Sequence, residues 1–181
     1  VYDEAAAAFA AACGRQHAAV EAYRCEDADL VFVMIGSFAT KAKEAVDRLR
    51  DAGESVGLVR PRLLRPFPAA QLQQLLAGKQ GAAVIDQNLS MGMGGVLHSE
   101  LSAALYGKPD APSVLTSFIG GLGGRDITPE EFYEIAALTR QAARDGITPP
   151  PRQLYSRDED REIRKLQAIA QAERKELESG Q

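Results

Sequence analysis

Short apolar runs without polar alternation recur through the middle of the chain, each followed by a stretch with helical spacing. A strand that is apolar on both faces is typical of a parallel sheet covered by helices on each side. This pattern predicts four strands, at Leu30–Gly36, Ser55–Val59, Ala82–Asp86 and Ser113–Ile119.

Amphipathic stretches follow these strands. The first, ATKAKEAVDRLRDAG, begins after Ser37, a natural helix cap, and has its small and apolar residues on one face. Further helices are predicted from Pro68 to Gly78, from Val96 to Tyr106 and from Pro129 to Arg144. The alternation predicts an α/β fold, a three-layer sandwich with a mostly parallel sheet.

Both ends of the chain depart from this alternation. Residues 1–27 begin with helical spacing and without a methionine, so we predict a helix and linker that follow a preceding domain. The α/β domain is assigned to residues 28–147. Residues 148–181 hold a proline linker and a charged C-terminal helix. That helix is either a solvated tail or an arm laid across another subunit.

The charge balance indicates which classes of partner the protein does not bind. Lysine and arginine total 21 against 25 acidic residues, which gives a net charge of −4. Proteins that bind nucleic acids or membrane surfaces need a basic excess, and no apolar stretch approaches the roughly 20 residues of a membrane span. We therefore expect no nucleic-acid partner and no membrane contact.

Cysteine and histidine are too sparse for a metal centre. Cys13 and Cys25 lack the CxxC spacing, and His17 and His98 are isolated in the sequence. These residues alone cannot build a disulfide framework, a zinc site or an iron–sulfur site. We expect reduced thiols in a cytoplasmic protein and no metal site.

Two glycine-rich stretches, SMGMGG and GGLGGRD, each lead from a predicted strand to a helix. Neither fits GxGxxG, because Leu97 and Asp126 stand at the final glycine position, and neither contains GK[ST]. The second stretch runs into a predicted capping box formed by Thr128 and Glu131. Loops that leave the carboxyl ends of strands lie at the edge where α/β proteins bind ligands and partners.

Candidate interface or anion contacts are Arg62, Arg65, Gly123, Gly124, Arg125 and Asp126. The glycines either present N–H groups to an anion or serve close approach and positive φ. Arg125 either binds a carboxylate or phosphate, or pairs with Asp126 to fix the loop. Arg62 and Arg65, with Arg60, form an anion site, an interface or a solvated basic face.

No stretch carries a complete catalytic constellation. Asp86 ends a predicted strand, a position where catalytic groups occur, but no histidine, cysteine or second carboxylate lies near it in sequence. Glu100, in the following helix, has the features of a surface residue. We predict no catalytic residue and no cofactor bound by this chain alone.

Three segments together resemble one family: ADLVFVMIGSFATKAKEAVDRLRDAGESVGLVRPRLLRPFP, AAVIDQNLSMGMGGVLHSELSAALYG and FIGGLGGRDITPEEF. They are similar to the domain that follows the pyrimidine-binding domain in the α subunit of 2-oxoacid:acceptor (pyruvate:ferredoxin-type) oxidoreductases. RLLRPFP and GLGGRD, in this order and at this spacing, are the most specific of these motifs. The resemblance runs from about Val20 to Arg144.

The resemblance implies a transketolase C-terminal-like fold and a part in the oxidative decarboxylation of a 2-oxoacid to an acyl-CoA. It implies thiamine diphosphate, Mg²⁺, iron–sulfur clusters and CoA in the assembled complex. These would be held by partners, namely thiamine-binding domains or subunits and an iron–sulfur subunit. This domain would serve assembly and shape the active site.

Two other functions remain open from the sequence. One is a free-standing module that binds an anion, a nucleotide or CoA on the glycine loops and Arg125. The other is a structural assembly domain outside this family.

Overall fold

A six-stranded sheet lies between two layers of helices in the computed structural model, which describes residues 1–155 and 157–179. The elements in chain order are α1 (Tyr2–Cys13), β1 (Val20–Tyr23), β2 (Leu30–Met34), α2 (Phe38–Asp51), β3 (Val56–Pro61), α3 (Ala69–Leu76), β4 (Gly81–Asp86), α4 (Val96–Leu105), β5 (Val114–Ile119), α5 (Pro129–Asp145), β6 (Arg152–Gln153) and α6 (Arg157–Ser179). A single 3-10 turn, Leu122–Gly124, lies between β5 and α5. The four predicted strands and the helices between them are therefore present.

The strand order is β1-β3-β2-β4-β5-β6. β1 runs antiparallel to β3, and every other neighbouring pair is parallel. Because the parallel strands point the same way, their carboxyl ends meet at one edge, which we call the carboxyl edge. The chain moves outward in opposite directions from β2, so the order reverses between β2 and β4, where α/β sheets commonly bind ligands.

Apolar side chains fill the space on both faces of the sheet. On one face, α2 and α5 cover a cluster that includes Phe32, Phe118 and Phe132, with the rings of Phe32 and Phe132 5.7 Å apart. On the other face, leucines of α3 and α4 pack on β2 and β4. Every residue of β2 and β4 is buried, which explains their unalternating apolar sequences. The predicted three-layer α/β fold is confirmed.

The sheet extends beyond the predicted domain bounds of 28–147 at both ends. β1, within the predicted linker 1–27, pairs with β3, and β6, within the predicted tail 148–181, pairs with Phe118 and Ile119 of β5. Both are edge strands of two to four residues, so neither is long enough for an apolar run. The residues before β6 are Pro149–Pro151, which have no N–H to extend its ladder.

The helix ends agree with the sequence at one place and differ at another. Thr128 accepts from the N–H of Glu131, and the Glu131 carboxylate accepts from the N–H of Thr128 at 2.8 Å, which confirms the predicted capping box. Ser37 stands at the start of α2, but its side chain makes no capping hydrogen bond. The serine backbone is helical there, which prevents the usual cap geometry.

The two terminal helices form but take little part in the core. α1 has no buried residue, and Leu166 and Ile169 of α6 are 59% and 56% exposed. Leu166 and Ile169 therefore lie outside the apolar core. The two interpretations of the charged tail both agree with this arrangement.

Candidate functional site

The arginine loop, residues 120–126, leaves β5 at the carboxyl edge and leads towards α5. Gly121 has φ of +74°, and a Cβ at this position would lie 3.1 Å from the Phe38 ring, so glycine is needed for both space and conformation. Gly123 and Gly124 also have positive φ, but their Cβ positions are open. At these two glycines, turn conformation rather than close approach within the chain explains the residue type.

Arg125 joins three parts of the molecule. Its guanidinium lies 2.6 Å from a Glu131 oxygen at the start of α5 and 3.0 Å from a Glu159 oxygen on α6. It also donates to the carbonyl of Leu154 at 3.4 Å. The Arg125 side chain is only 20% exposed, so its charge is largely occupied by groups of the same chain.

Asp126 has a different partner from the one expected. Its carboxylate forms an ion pair with Lys41 of α2 and accepts from the N–H of Ile127 at 2.9 Å. The hydrogen bond from Lys41 holds the pKa of Asp126 below its usual range. The predicted pairing of Arg125 with Asp126 is therefore wrong: each residue has its own partner. Lys41 is 85 residues away in sequence, so no local pattern could indicate it.

The three arginines at and after the end of β3 contact two separate carboxylates. Arg62 contacts Glu21 of β1 at 2.5 Å, and Arg60 approaches the same carboxylate at 3.5 Å. Arg65 turns away and pairs with Glu100 of α4 at 2.6 Å. The structure therefore does not gather the three arginines into a single anion site. It also gives Glu100, a predicted surface residue, a partner.

Asp86 is a buried carboxylate at the end of β4. It accepts from the backbone N–H groups of Leu97 at 2.9 Å and His98 at 3.1 Å, and from the Asn88 side chain at 3.3 Å. Burial raises the pKa of Asp86, and these hydrogen bonds oppose that rise. A Cβ at Gly95 would lie 1.9 Å from an Asp86 oxygen, so the backbone approaches the carboxylate too closely for any other residue. Asp86 therefore anchors the first turn of α4.

The methionine loop, residues 87–95, is held at its base by Asp86 and closed at its tip by its own backbone. Ser90 and Gly94 exchange two hydrogen bonds of 2.8 and 3.1 Å. This turn presents Met91 and Met93, which are 90% and 67% exposed, to solvent. The sequence indicates the glycines of this loop, but only the structure shows that a buried acid holds it.

The described residues do not gather a metal site. Within residues 1–155 and 157–179, no group of three or more His, Cys, Asp or Glu side chains is placed to hold a metal ion. Cys13 is exposed and Cys25 is buried, where burial raises the pKa of its thiol. None of the described helices has the length and apolar character to cross a bilayer.

The larger of two described cavities lies beside α5 and measures about 1000 Å³. It is lined by α5 residues such as Leu138 and by the chain from Ile147 to Tyr155. One of its three acidic residues, Glu134, pairs with Arg152 at 2.5 Å.

Comparison with known proteins identifies relatives of the chain. The family model described as "Pyruvate:ferredoxin oxidoreductase core domain II" matches residues 28–132. "Pyruvate synthase subunit PorA" of Thermotoga maritima is 42% identical over 147 residues, 81% of this chain and 36% of that protein. PorA of Methanothermobacter thermautotrophicus is 39% identical over 144 residues, 80% of this chain and 36% of that protein.

A relative with a different name and a solved structure extend this comparison. "Ketoisovalerate oxidoreductase subunit VorA" of Pyrococcus furiosus is 39% identical over 127 residues, 70% of this chain and 32% of that protein. The chain thus spans about a third of the length of the curated relatives it matches. The 2-oxoglutarate:ferredoxin oxidoreductase of Magnetococcus marinus, solved with 2-oxoglutarate, coenzyme A and succinyl-CoA bound, matches with a TM-score of 0.50 and 23% identity. That match covers 70% of this chain and 20% of the other, and it supports the fold alone.

Proposed function

The chain belongs to the pyruvate:ferredoxin oxidoreductase core domain II family, and we propose that it is part of a thiamine diphosphate-dependent 2-oxoacid:acceptor oxidoreductase. This enzyme would decarboxylate a 2-oxoacid oxidatively in the cytoplasm and form an acyl-CoA. The chain would act within an α subunit, as the PorA and VorA relatives are subunits by name. The observation that carries the proposal is the family match over residues 28–132.

Within this enzyme, we propose that the domain serves assembly and shapes the active site without performing chemistry. Its best placed acid, Asp86, is occupied by backbone N–H groups. The cations Arg65 and Arg125 are paired within the chain. A carboxyl edge held in this way supplies a shaped surface to neighbouring domains rather than a reacting group.

The cofactors of the proposed enzyme would be held by other domains or subunits. Cys13 and Cys25 are one exposed and one buried thiol, and they do not form the four-cysteine set that an iron–sulfur cluster needs. No described acidic cluster suits the Mg²⁺ that accompanies a diphosphate. The partners expected are therefore thiamine-binding domains or subunits and an iron–sulfur subunit.

The test is to purify the native complex that contains the chain and to identify its proteins and cofactors by mass spectrometry. We expect a thiamine-binding domain and a cluster-bearing subunit, and CoA-dependent reduction of a ferredoxin or viologen with a 2-oxoacid. A complex without thiamine-binding or cluster-bearing partners would contradict the proposal. Tight calorimetric binding of CoA or a nucleotide to the chain alone would favour the free-standing binding module instead.

A further inference from the structure

Three cations converge on one carboxylate at the outer side of the sheet. Glu21 of β1 forms ion pairs with Lys43 of α2 and, at 2.5 Å, with Arg62, and Arg60 of β3 lies 3.5 Å away. We call Glu21, Lys43, Arg60 and Arg62 the cationic cluster. Its four members come from three separate segments, β1, α2 and the end of β3, so the sheet and helix positions hold them together.

The cationic cluster carries a surplus of positive charge. Among the described residues, three cations pair with this one carboxylate, which leaves a surplus of two positive charges in the cluster of a chain whose net charge is −4. Partial burial would raise the pKa of Glu21, but hydrogen bonds from Lys43 and Arg62 bring it below its usual range. Glu21 therefore stays ionised at neutral pH, and its single charge is shared among three cations, of which Lys43 and Arg62 donate hydrogen bonds to it.

The acid Asp47 of α2 has a cation of its own. It accepts from the Tyr23 hydroxyl at 2.9 Å and is paired with Arg24 at 2.9 Å. The amine of Lys43 lies over the Tyr23 ring, 5.1 Å from its centroid. Asp47 is thus balanced by its own arginine, and the cluster keeps its charge.

Other cations at the carboxyl edge do not share a single carboxylate. Arg65 has Glu100, Lys41 has Asp126, and Arg125 has both Glu131 and Glu159. Each of these cations has at least one carboxylate of its own. The excess of cations over carboxylates is therefore a feature of the cationic cluster and is not spread along the edge.

The position of the cluster favours a protein surface as its occupant. β1 is the last strand of the sheet on this side, and the cluster residues line neither of the two described cavities. The cations are 21–34% exposed, so each side chain is partly accessible to a partner. A partly desolvated group of cations is complementary to carboxylates on another protein, where opposite charges fix orientation and speed association.

The geometry points to the cationic cluster as the docking surface for an acidic segment of a partner subunit, whose carboxylates bind alongside Glu21 or displace it. This inference rests on the proposed function, because the partner is a subunit of that oxidoreductase. Glu21 competes with the partner for the same donors. Removal of its charge should therefore strengthen docking, whereas reversal of the cationic charge should weaken it.

The first test uses a zero-length carbodiimide cross-linker on the unmodified complex, followed by mass spectrometry of the peptides. This reagent joins an amine to a carboxylate only when the two are in contact. We expect Lys43 to be linked to an aspartate or glutamate of another subunit. Linkage of Lys43 to Glu21 alone, in an intact complex, overturns the inference.

The second test compares dissociation constants of the full polypeptide for the remaining subunits. Arg60→Glu with Arg62→Glu should raise the constant roughly tenfold or more at low salt, and Glu21→Gln should lower it. Arg48→Glu is the matched control, since Arg48 lies on α2 but pairs with Glu44. Unchanged constants in both cluster variants, or weaker docking in Glu21→Gln, overturn the inference.

The same purified complex and variants distinguish two further outcomes, a small-anion site and a failure of the proposed function. Inorganic phosphate at low millimolar concentration could slow the chemical modification of the Lys43 amine while no cross-link to a partner forms. That result would assign the cluster to a small anion and overturn the inference of a docking surface. Absence of thiamine-binding and cluster-bearing subunits would contradict the proposed function itself. A complete enzyme whose assembly ignores the cluster charges would contradict this inference alone.

Discussion

The two glycine-rich loops of the carboxyl edge are held by opposite kinds of interaction. The methionine loop is anchored by the buried Asp86, which accepts from two backbone N–H groups of α4. The arginine loop is held by ion pairs, from Arg125 to Glu131 and Glu159 and from Asp126 to Lys41. The hydrogen bonds of Asp86 are buried and join neighbouring parts of the chain. The ion pairs of the arginine loop connect it to α2, α5 and α6, and their side chains are partly exposed to water.

This difference separates a rigid loop from an adjustable one. Buried hydrogen bonds are little screened by salt, and their loss leaves unpaired donors inside the protein. The ion pair between Lys41 and Asp126 is about half exposed, and exposed ion pairs contribute little to stability, are screened by salt and can exchange partners. The methionine loop is thus suited to present Met91 and Met93 in a constant position, and the arginine loop is suited to change its contact with Lys41 when a neighbour binds.

The largest expected effect tests the close approach at Asp86. Gly95→Ala would place a Cβ 1.9 Å from an Asp86 oxygen. The clash should break the hydrogen bonds to α4 and lower the free energy of unfolding by about 3 kcal/mol. Gly92→Ala is the control, since Gly92 has φ of +80° but open space, and strain alone should cost about 1 kcal/mol. Urea unfolding of both variants makes the comparison, and equal losses would contradict the assigned role of Gly95.

The second prediction concerns how the free energy of unfolding depends on pH in wild type and in Asp86→Asn. Burial raises the pKa of Asp86 in the folded protein. Wild type should therefore lose stability relative to Asp86→Asn as pH rises from about 3.9, the ordinary value for aspartate, through the raised folded value. Asp86→Asn itself should be less stable by about 2 kcal/mol at low pH, because one backbone donor loses its acceptor.

The measurement for Asp86 is the difference in unfolding free energy between the two proteins across that pH range. The deficit of the variant should shrink as pH rises. A deficit that grows instead would show that Asp86 has a lowered folded pKa and that its hydrogen bonds outweigh its burial.

A smaller effect is expected for the arginine loop. Arg125→Ala should lower the free energy of unfolding by about 1–2 kcal/mol, since one of its partners, Glu131, is nearly buried and the other, Glu159, is half exposed. Hydrogen exchange should increase in the first turns of α6, which Arg125 ties to the loop. Arg152→Ala is the control, because Arg152 and Glu134 are both about half exposed. Equal exchange in both variants would show that Arg125 does not hold α6.

The smallest effect is expected for the pair between Lys41 and Asp126. Lys41→Met should reduce stability slightly at low salt and not at all in about 1 M salt, because both side chains are about half exposed. The lowered pKa of Asp126 gives a contribution present above the ordinary aspartate value and lost as pH falls through the lowered one. The sign is opposite to that of Asp86. A loss of stability in Lys41→Met that persists at high salt would contradict the assignment.

Patterns in the sequence were sufficient where each element carries its own signal. β2 and β4 are covered on both faces, so their apolar runs identify them, and the capping box of Thr128 and Glu131 identifies the start of α5. β1 and β6 escaped the prediction because an edge strand of two to four residues depends on pairing with a distant neighbour. Hydrogen bonding to β3 and β5, rather than local sequence, makes them strands.

For the candidate contact residues too, the sequence identified the residues but not their partners. Arg125 and Asp126 were identified as charged residues of a glycine loop, but their partners Glu159 and Lys41 lie 34 and 85 residues away along the chain. The excess of charge around Glu21 was also invisible, because β1, α2 and β3 meet only in the folded sheet. Distances along a sequence do not report which charges face each other across a fold.

The sequence by itself determined the three-layer α/β architecture and the resemblance to 2-oxoacid:acceptor oxidoreductases, because hydrophobic periodicity, caps and motifs are local properties. Only the tertiary structure decided which carboxylate meets which cation, that Asp86 anchors the methionine loop, and that three cations share Glu21. Those properties depend on burial and on through-space distances of a few ångströms. They are set when the strands and helices pack together, which no local pattern records.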